Sequence, residues 1–232
     1  MGQALASAGR VIAIDGPAGS GKSTTARGVA ERLAFVHLNS GLLYRAITWL
    51  ALRRGWREDD PDFGDRVERL HVEWERTGSE LRVRLEGADP GPELHSREVS
   101  ARVSGVARHP IVRRRVLAWL RQAAAKLDVV CDGRDIGTVV FPSAPLKVFL
   151  VASIDERARR RLLDLGEEPS EQRIGEEAQR LHARDVADST RDLSPLRRAE
   201  DAVEIDTTDL SPEAVVGRIV ELAKRRGLVD PG

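Results

Sequence analysis

A glycine-rich loop between two different apolar patterns constrains this fold more than any other feature of the sequence. Residues 16–23 read Gly-Pro-Ala-Gly-Ser-Gly-Lys-Ser and match the phosphate-binding pattern G-x-x-x-x-G-K-[ST] in full. The apolar run 11–15 precedes the loop. An apolar stripe at helical spacing follows it, formed by Ala26, Val29, Ala30 and Leu33. The sequence therefore predicts a strand, a phosphate-binding loop and a helix that begins near Lys22, as in an α/β P-loop NTPase fold.

The residue types in this loop suit a nucleoside triphosphate. Glycines allow successive backbone N–H groups to turn towards phosphate oxygens, and the side chain of Lys22 can reach the β and γ phosphates. The hydroxyl of Ser23 is placed to ligate Mg²⁺. We expect the loop to bind Mg²⁺-ATP through Gly16, Pro17, Ala18, Gly19, Ser20, Gly21, Lys22, Ser23 and Thr24.

The remaining apolar runs predict the rest of a sheet. Such runs lie at 11–15, 35–38, 128–131, 146–151 and 202–206. Helical patterns separate them, which predicts a five-stranded, largely parallel sheet with helices on both faces. Helices are expected at 41–54 and 110–127, and a further one after an N-cap at Ser211 with Pro212 in its first turn. Ligands of such folds bind at the carboxyl ends of the strands.

Two segments depart from this alternation of strand and helix. Residues 71–75 and 81–85 alternate with period two around a Thr-Gly-Ser turn, which predicts an antiparallel hairpin within an inserted β-containing subdomain at about 61–100. Residues 157–191 are charge-rich and helical, and this pattern is typical of a lid that closes over phosphates. We interpret residues 1–232 as a single domain whose core comprises about 10–60, 101–156 and 192–232.

Composition excludes several other classes of protein. The chain has 37 basic and 37 acidic residues, so no overall field favours nucleic acid or an anionic membrane. Its one cysteine, Cys131, lies in an apolar run and is expected to be a small buried hydrophobe. No Cys/His cluster has zinc-ligand spacing, no apolar run is long enough for a membrane span, and residues 1–10 lack the apolar segment of a secretory signal. We expect a cytoplasmic monomer that binds neither nucleic acid nor membranes.

Three classes of phosphate-loop protein remain to be compared. A GTPase is excluded because Asn39 is the only asparagine, so a guanine-reading N-K-x-D motif cannot exist. A motor or helicase ATPase would be larger and would interleave basic tracks with aromatics, whereas only nine aromatic residues occur here. A kinase of small metabolites needs arginines that hold an acceptor phosphate. Such arginines occur in compact polar contexts at 40–45, 132–138 and 184–191.

These three contexts give the chain a specific resemblance. It resembles the bacterial cytidylate kinases, a branch of the nucleoside monophosphate kinases, nearly from end to end. Residues 132–142 are highly characteristic of that family, as is the spaced series of Arg184, Asp188 and Arg191 followed by Ser-Pro-Leu at 194–196. The hairpin at 71–86 is similar to the enlarged nucleotide-binding insert of these bacterial enzymes.

The resemblance implies a role for individual residues. It implies that the cytosine edge is read by Ser104, Arg113 and Asp135, and a carboxylate with a guanidinium also matches the donors and acceptors of cytosine. It implies that the acceptor phosphate is clamped by Arg45, Arg134 and Arg191. The phosphate and ribose would be approached by Arg184 and Asp188, in a pocket lined by Ser40, Gly41 and Tyr44. It implies that Arg157 and Arg161 contact the triphosphate of ATP. It also implies that the catalytic residues are Lys22, Arg134, Arg184 and Arg191.

The activity implied is direct in-line transfer of the γ-phosphoryl group of Mg²⁺-ATP to CMP or dCMP. The alternatives are a kinase of another small acceptor, such as UMP, AMP or a hydroxylated acid, and a nucleotide-binding regulator without catalysis. Two residues depart from the family pattern. Asn39 stands where an aspartate usually precedes the Ser-Gly pair, and His95 stands where arginine is common. We interpret both as tolerated substitutions.

Overall fold

A single sheet forms the centre of the molecule in the computed structural model, which describes residues 9–230. Its strands are β1 Val11–Asp15, β2 Val36–Asn39, β3 Val72–Thr77, β4 Glu80–Leu85, β5 Val129–Gly133, β6 Leu146–Val151 and β7 Val203–Asp206. Their order is β3-β4-β2-β5-β1-β6-β7. The five strands from β2 to β7 run parallel, which confirms the predicted α/β fold.

Eight α-helices surround the sheet within the described residues. They are α1 Lys22–Leu33, α2 Ser40–Arg53, α3 Phe63–Glu68, α4 Arg97–Val106, α5 Pro110–Ala124, α6 Ile154–Asp164, α7 Glu171–Ser189 and α8 Pro212–Arg225. A 3₁₀ segment spans Gly91–His95 and a π-helical turn spans Ile136–Val140. As predicted, α1 begins at Lys22, and Ser211 caps α8 by accepting a hydrogen bond from the Ala214 N–H. Helix α5 ends three residues before its predicted end.

Both faces of the sheet are buried. On β1, Val11 and Ala13 belong to one apolar cluster, which also contains residues of α2 and α5. Ile12 and Ile14 belong to another cluster, with residues of α1 and α8. Alternate residues of a strand point to opposite faces, so a continuous apolar run is what a central parallel strand requires. This double burial fixes the position of the loop that follows β1.

The sheet is larger than the predicted five strands. The hairpin at β3 and β4 forms as expected, but β4 also pairs in parallel with β2, at His37 and Glu80. The main-chain N–H of His37 donates to the carbonyl of Ser79 at 2.6 Å. Without the hairpin, β2 would be an exposed edge with unpaired backbone groups. The inserted residues therefore extend the central sheet to seven strands.

Helices α6 and α7 pack against each other and against the phosphate-binding loop. Ala18 of the loop, Ala158 of α6 and Leu181 of α7 form a small buried cluster. The segment predicted as a lid thus contacts the loop directly. Within residues 9–230 no helix is both long and apolar enough to cross a membrane. Of the residues 1–10 discussed for a secretory signal, 1–8 lie outside the described part of the chain.

Candidate active site

The phosphate-binding loop has a backbone that only glycine can adopt at its key positions. Gly16, Gly19 and Gly21 have φ values of 151°, 79° and 82°. A Cβ atom at Gly16 would lie 2.2 Å from the carbonyl oxygen of Leu150, and one at Gly19 would lie 2.9 Å from the Cβ of Arg157. Glycine is therefore required at Gly16 and Gly19 for two reasons, the backbone conformation and the close packing against β6 and α6.

The amine of Lys22 is buried at the centre of this loop. It donates to the carbonyl oxygen of Pro17 and lies 3.3 Å from the hydroxyl of Ser20. Burial lowers the pKa of Lys22, and the positive charge of Arg134 lowers it further. A phosphate bound in the loop would supply the negative charge that the ammonium group needs.

Oxygen donors lie beside Lys22 at the carboxyl end of β5. The Ser23 hydroxyl donates to Oδ2 of Asp132 at 2.7 Å, and Nδ2 of Asn39 donates to the Ser23 oxygen at 3.2 Å. Burial acts to raise the pKa of Asp132, but contacts with His37, Ser23 and Lys22 outweigh it and hold that pKa below its usual value. Asp132 is therefore an ionised, buried carboxylate at neutral pH.

A hydroxyl and a carboxylate fit a hard cation such as Mg²⁺. Residues 9–230 hold no group of three or more His, Cys, Asp or Glu side chains arranged as a metal site. Mg²⁺ in kinase sites is bound by one or two protein groups and by the phosphates, so Ser23 and Asp132 suffice for such a site.

A buried ion pair lies near the loop. Nη2 of Arg113 donates to Oδ2 of Asp135 at 2.6 Å, and both side chains are less than one tenth exposed. The guanidinium of Arg113 lies 5.7 Å from the ring centre of Tyr44, and burial raises the pKa of that phenol to about 12. Nη2 of Arg191 lies 4.0 Å from Oδ1 of Asp135 and has no hydrogen-bond partner among the described residues. These four predicted residues form one pocket.

A second carboxylate joins two more of the predicted arginines. Nε of Arg134 donates to Oδ2 of Asp188 at 3.0 Å, and Nη1 of Arg191 lies 3.7 Å from Oδ1 of the same residue. Burial lowers the pKa of Arg191, and the charge of Arg113 adds to this effect. The lid helix α7 thus meets the segment that follows β5.

Three further arginines, Arg45, Arg161 and Arg184, lie near one another, with the carboxylates of Asp185 and Asp188 close to Arg184. Burial lowers the pKa of Arg45 to about 10, with smaller effects from Arg184 and Arg161. Burial also lowers the pKa of Arg184, and its Nε has no hydrogen-bond partner among residues 9–230. The guanidinium of Arg45 donates to the Leu94 carbonyl and to the Ser100 hydroxyl at 2.9 and 3.0 Å. These three partly buried arginines form an arginine cluster, and such a group of cations can bind an anion.

The other predicted residues differ in how closely they approach these groups. Nη1 of Arg157 donates to the carbonyl of Ala18 and to Asp185, at 3.1 and 2.6 Å, so it already has partners in the loop and the lid. The Ser40 hydroxyl donates to the Asp132 carbonyl at 2.8 Å, and Gly41 follows in the first turn of α2. Thr24 is exposed in the first turn of α1. Ser104 is half-buried on α4, and no hydrogen bond within residues 9–230 joins it to Arg113 or Asp135.

Sequence reasoning did not predict three polar residues of this region, Asp15, His37 and Asp132. Oδ1 and Oδ2 of Asp15 accept from the N–H groups of Ile136 and Gly137 at 2.8 and 2.7 Å. Burial raises the pKa of Asp15 to about 6 in spite of these hydrogen bonds. Asp15 and Asp132 end neighbouring strands, and this position at a strand end could have been noticed. His37, in contrast, is a lone histidine in an apolar run, which by itself indicates only a strand.

The two residues that depart from the family pattern lie at this site. Oδ1 of Asn39 accepts from the Leu42 N–H at 3.2 Å and caps α2, while its Nδ2 reaches Ser23. Burial lowers the pKa of His95, and the charges of Arg45 and Arg161 lower it further. His95 therefore lies close to Arg45 and Arg161, and it carries no negative charge that could offset theirs.

Comparison with known proteins identifies the family of this chain. The family model described as cytidylate kinase matches residues 12–225. The cytidylate kinase of Bacillus pumilus is 40% identical over 215 residues, which cover 92% of this chain and 96% of that protein. The cytidylate kinase of a Geobacillus species is 41% identical over 216 residues, with 93% and 96% covered. A shikimate kinase structure from Acinetobacter baumannii aligns over 95% of this chain and 96% of its own, with 18% identity and a TM-score of 0.48. The chain belongs to the cytidylate kinase family.

Proposed function

We propose that this protein is a cytidylate kinase that transfers the γ-phosphoryl group of ATP to CMP or dCMP, giving CDP or dCDP and ADP. One observation carries the proposal beyond family membership. Asp15 of β1 and Gly133 of β5 are paired in the sheet, so the phosphate-binding loop and the Arg113–Asp135 pocket begin at neighbouring positions of the same edge. A donor site and an acceptor site would thus lie side by side at this edge of the sheet.

The donor would bind in the loop at residues 16–24. The backbone N–H groups of the loop and the start of α1 supply partial positive charge, and Lys22 supplies a full positive charge. A bound polyphosphate would return the depressed pKa of the buried Lys22 amine towards its ordinary value. Ser23 and Asp132 would hold Mg²⁺, which neutralises charge on the terminal phosphates when bound. Arg157 and Arg161 complete this side from the lid.

The acceptor base would bind against Asp135 and Arg113. Cytosine offers an exocyclic amine as donor and a ring nitrogen and a carbonyl as acceptors. The carboxylate of Asp135 can accept from the amine, and the guanidinium of Arg113 can donate to the acceptors. Ser104 is assigned here by resemblance. Because the two side chains already hold each other at 2.6 Å, the base edge would meet a preorganised pair.

Several arginines would bind the acceptor phosphate and stabilise the transferred group. We assign the phosphate to Arg45, Arg134 and Arg191, the ribose region to Arg184 and Asp188, and the pocket walls to Ser40, Gly41 and Tyr44. The acceptor phosphate is anionic at neutral pH, so no general base is required. Catalysis would then depend on positioning and on charge stabilisation by Lys22, Arg134, Arg184 and Arg191. The lid helices would exclude water that hydrolyses ATP.

The test is ADP release from Mg²⁺-ATP with CMP, dCMP, UMP, AMP, GMP and shikimate as separate acceptors. Strong stimulation by CMP and dCMP alone is the expected result. A preference for UMP, AMP or shikimate would replace the proposal with a kinase of that acceptor and would remove Ser104, Arg113 and Asp135 as base readers. No stimulation by any acceptor, together with measurable ATP binding, would favour a non-catalytic regulator.

We further propose that the protein acts in the cytoplasm as a monomer on free nucleotides, and not on nucleic acid or membranes. Its zero net charge supports this, because it offers no general attraction for polyanions. We retain the division into a core, an insert at about 61–100 and a lid at about 157–191. Sedimentation equilibrium at micromolar concentration tests the monomer directly, and a dimer mass would refute it.

A further inference from the structure

A buried histidine lies behind the oxygen donors of the proposed magnesium site. His37 is 5% exposed, and its Nε2 lies 2.7 Å from Oδ1 of Asp132. The other carboxylate oxygen of Asp132 accepts from the Ser23 hydroxyl, also at 2.7 Å. His37, Asp132 and Ser23 thus form a continuous chain of hydrogen bonds that ends at the phosphate-binding loop. None of the steps proposed for phosphoryl transfer uses His37.

The direction of each hydrogen bond follows from the charge of Asp132. Carboxylate oxygens carry no donor, and Oδ2 of Asp132 accepts from the Ser23 hydroxyl. The proton between His37 and Asp132 therefore belongs to Nε2 of His37. The Ser23 proton points to Asp132, and one lone pair of the Ser23 oxygen accepts from Asn39 at 3.2 Å. The remaining lone pair of the Ser23 oxygen is the one a cation can bind.

The backbone holds His37 in place on both sides of β2. Its N–H donates to the Ser79 carbonyl at 2.6 Å on the hairpin side, and the preceding residue, Val36, donates to the Asp128 carbonyl at 2.8 Å on the β5 side. The imidazole is 5% exposed on a central strand, and close packing of the interior limits its movement away from Asp132. It is a fixed hydrogen-bond donor.

We propose that His37 is a positioning residue, which orients the Asp132 carboxylate towards Ser23 and so sets the affinity for the Mg²⁺ of Mg²⁺-ATP. This rests on the donor half of the proposed function, and it does not depend on the acceptor. Outer partners of metal ligands commonly change metal affinity by about 10- to 100-fold when they are removed. If His37 had only a structural role, its replacement would change stability without changing the metal dependence of nucleotide binding.

The test compares ATP affinity with and without metal by isothermal titration calorimetry, in Mg²⁺ and in EDTA. The variants are His37→Leu, which has similar volume and no donor, and His37→Gln, whose amide N–H can reach Asp132. His71→Leu is the matched control, because His71 lies on the surface with its side chain 87% exposed. Kinetic constants for CMP and the Mg²⁺ concentration for half-maximal rate are measured alongside.

Mg²⁺ is expected to increase the ATP affinity of the wild type, and His37→Leu should reduce this increase by about tenfold or more. The ATP affinity in EDTA should stay the same. His37→Gln should recover most of the gain, and KM for CMP should not change. An unchanged gain in His37→Leu, or an equal loss in Mg²⁺ and EDTA, would refute the positioning role. If His37→Leu does not fold, His37→Asn, too short to reach Asp132, takes its place and is compared with His37→Gln by the same criteria.

This experiment also separates failure of this proposal from failure of the proposed function. Calorimetry with ATP alone needs no acceptor. The expected loss of the Mg²⁺ gain in His37→Leu, together with no CMP-dependent ADP release by the wild type, would reject only the cytidylate kinase activity. A wild-type protein whose ATP affinity does not respond to Mg²⁺ would reject the positioning role itself.

Discussion

Replacing Asp135 with alanine tests whether the buried Arg113–Asp135 pair both stabilises the fold and binds the acceptor base. The two side chains are 9% and 7% exposed and lie 2.6 Å apart, so the alanine variant leaves a desolvated guanidinium without its partner. Removing one member of a buried ion pair typically costs about 3–5 kcal/mol. Arg191 makes the loss worse, because its nearest Asp135 oxygen is at 4.0 Å and only Asp188, at 3.7 Å, then remains to offset its charge next to Arg113.

The expected loss is large compared with the stability of a domain. Total free energies of unfolding are about 5–15 kcal/mol. For a chain of this size, each kcal/mol corresponds to about 2–4 °C in melting temperature, so Asp135→Ala should melt roughly 6–20 °C below the wild type. Urea unfolding of Asp135→Ala, Arg113→Ala and the double variant measures the coupling between the two residues. The double variant should be less destabilised than the sum of the single variants.

The same variant has a separate effect on the acceptor. KM for CMP should rise steeply, while the affinity for ATP should remain within about twofold of the wild type because Asp135 makes no described contact with residues 16–24. Asp135→Asn, which keeps the volume of the side chain, is the matched control for size. A stability loss below about 1 kcal/mol would contradict the ion-pair reasoning, and an equal loss for ATP and CMP would contradict the assignment of the base.

Three further predictions concern the donor side and its surroundings. Lys22→Ala should lower kcat by at least about 100-fold with the melting temperature preserved, because a key charge is lost at the phosphates; near-normal turnover would reject the donor site. Asn39→Asp replaces the amide that donates to Ser23 with a carboxylate, which adds negative charge beside the proposed Mg²⁺ site. The Mg²⁺ concentration for half-maximal rate should therefore fall. A rise in that concentration would show that the amide hydrogen bond matters more than the added charge. Since burial raises the pKa of Asp15 to about 6, the folded protein binds a proton more tightly than the unfolded chain. The free energy of unfolding of the wild type, relative to Asp15→Asn, should therefore fall by about 2 kcal/mol as pH rises from about 4 to 6. Urea titrations at fixed pH measure this difference, and a difference that does not change with pH would contradict the raised pKa of Asp15.

The sequence by itself determined the local elements of this protein. The loop at 16–23, the start of α1 at Lys22 and the Ser211 cap of α8 all follow from residues close together in the chain. The apolar runs predicted the five parallel strands, because burial on both faces leaves a continuous apolar signature. The alternation at 72–77 and 80–85 predicted the hairpin for the same kind of reason. Each of these features depends on spacing over fewer than about 20 residues.

The sequence also determined part of the candidate site, through family resemblance. It named Arg113 and Asp135 as base readers and Arg191 as a phosphate clamp, and the structure brings both arginines within 4.0 Å of the Asp135 carboxylate. Periodicity and composition could not have joined them, since neither describes which residues meet in space. For Ser104 the resemblance remains a prediction, because the structure gives that side chain no hydrogen bond to the pair.

Only the tertiary structure decided which distant groups share the site. His37 and Asp132 are 95 residues apart, and Asp15 and Gly137 are 122 apart. The sheet places the ends of β1, β2 and β5 side by side, and burial there favours hydrogen bonds between polar groups such as His37 and Asp132. The hairpin extends the sheet for a similar reason, since its β4 satisfies the open edge of β2. These pairings depend on the register and packing of the whole domain, and no local stretch of sequence specifies either.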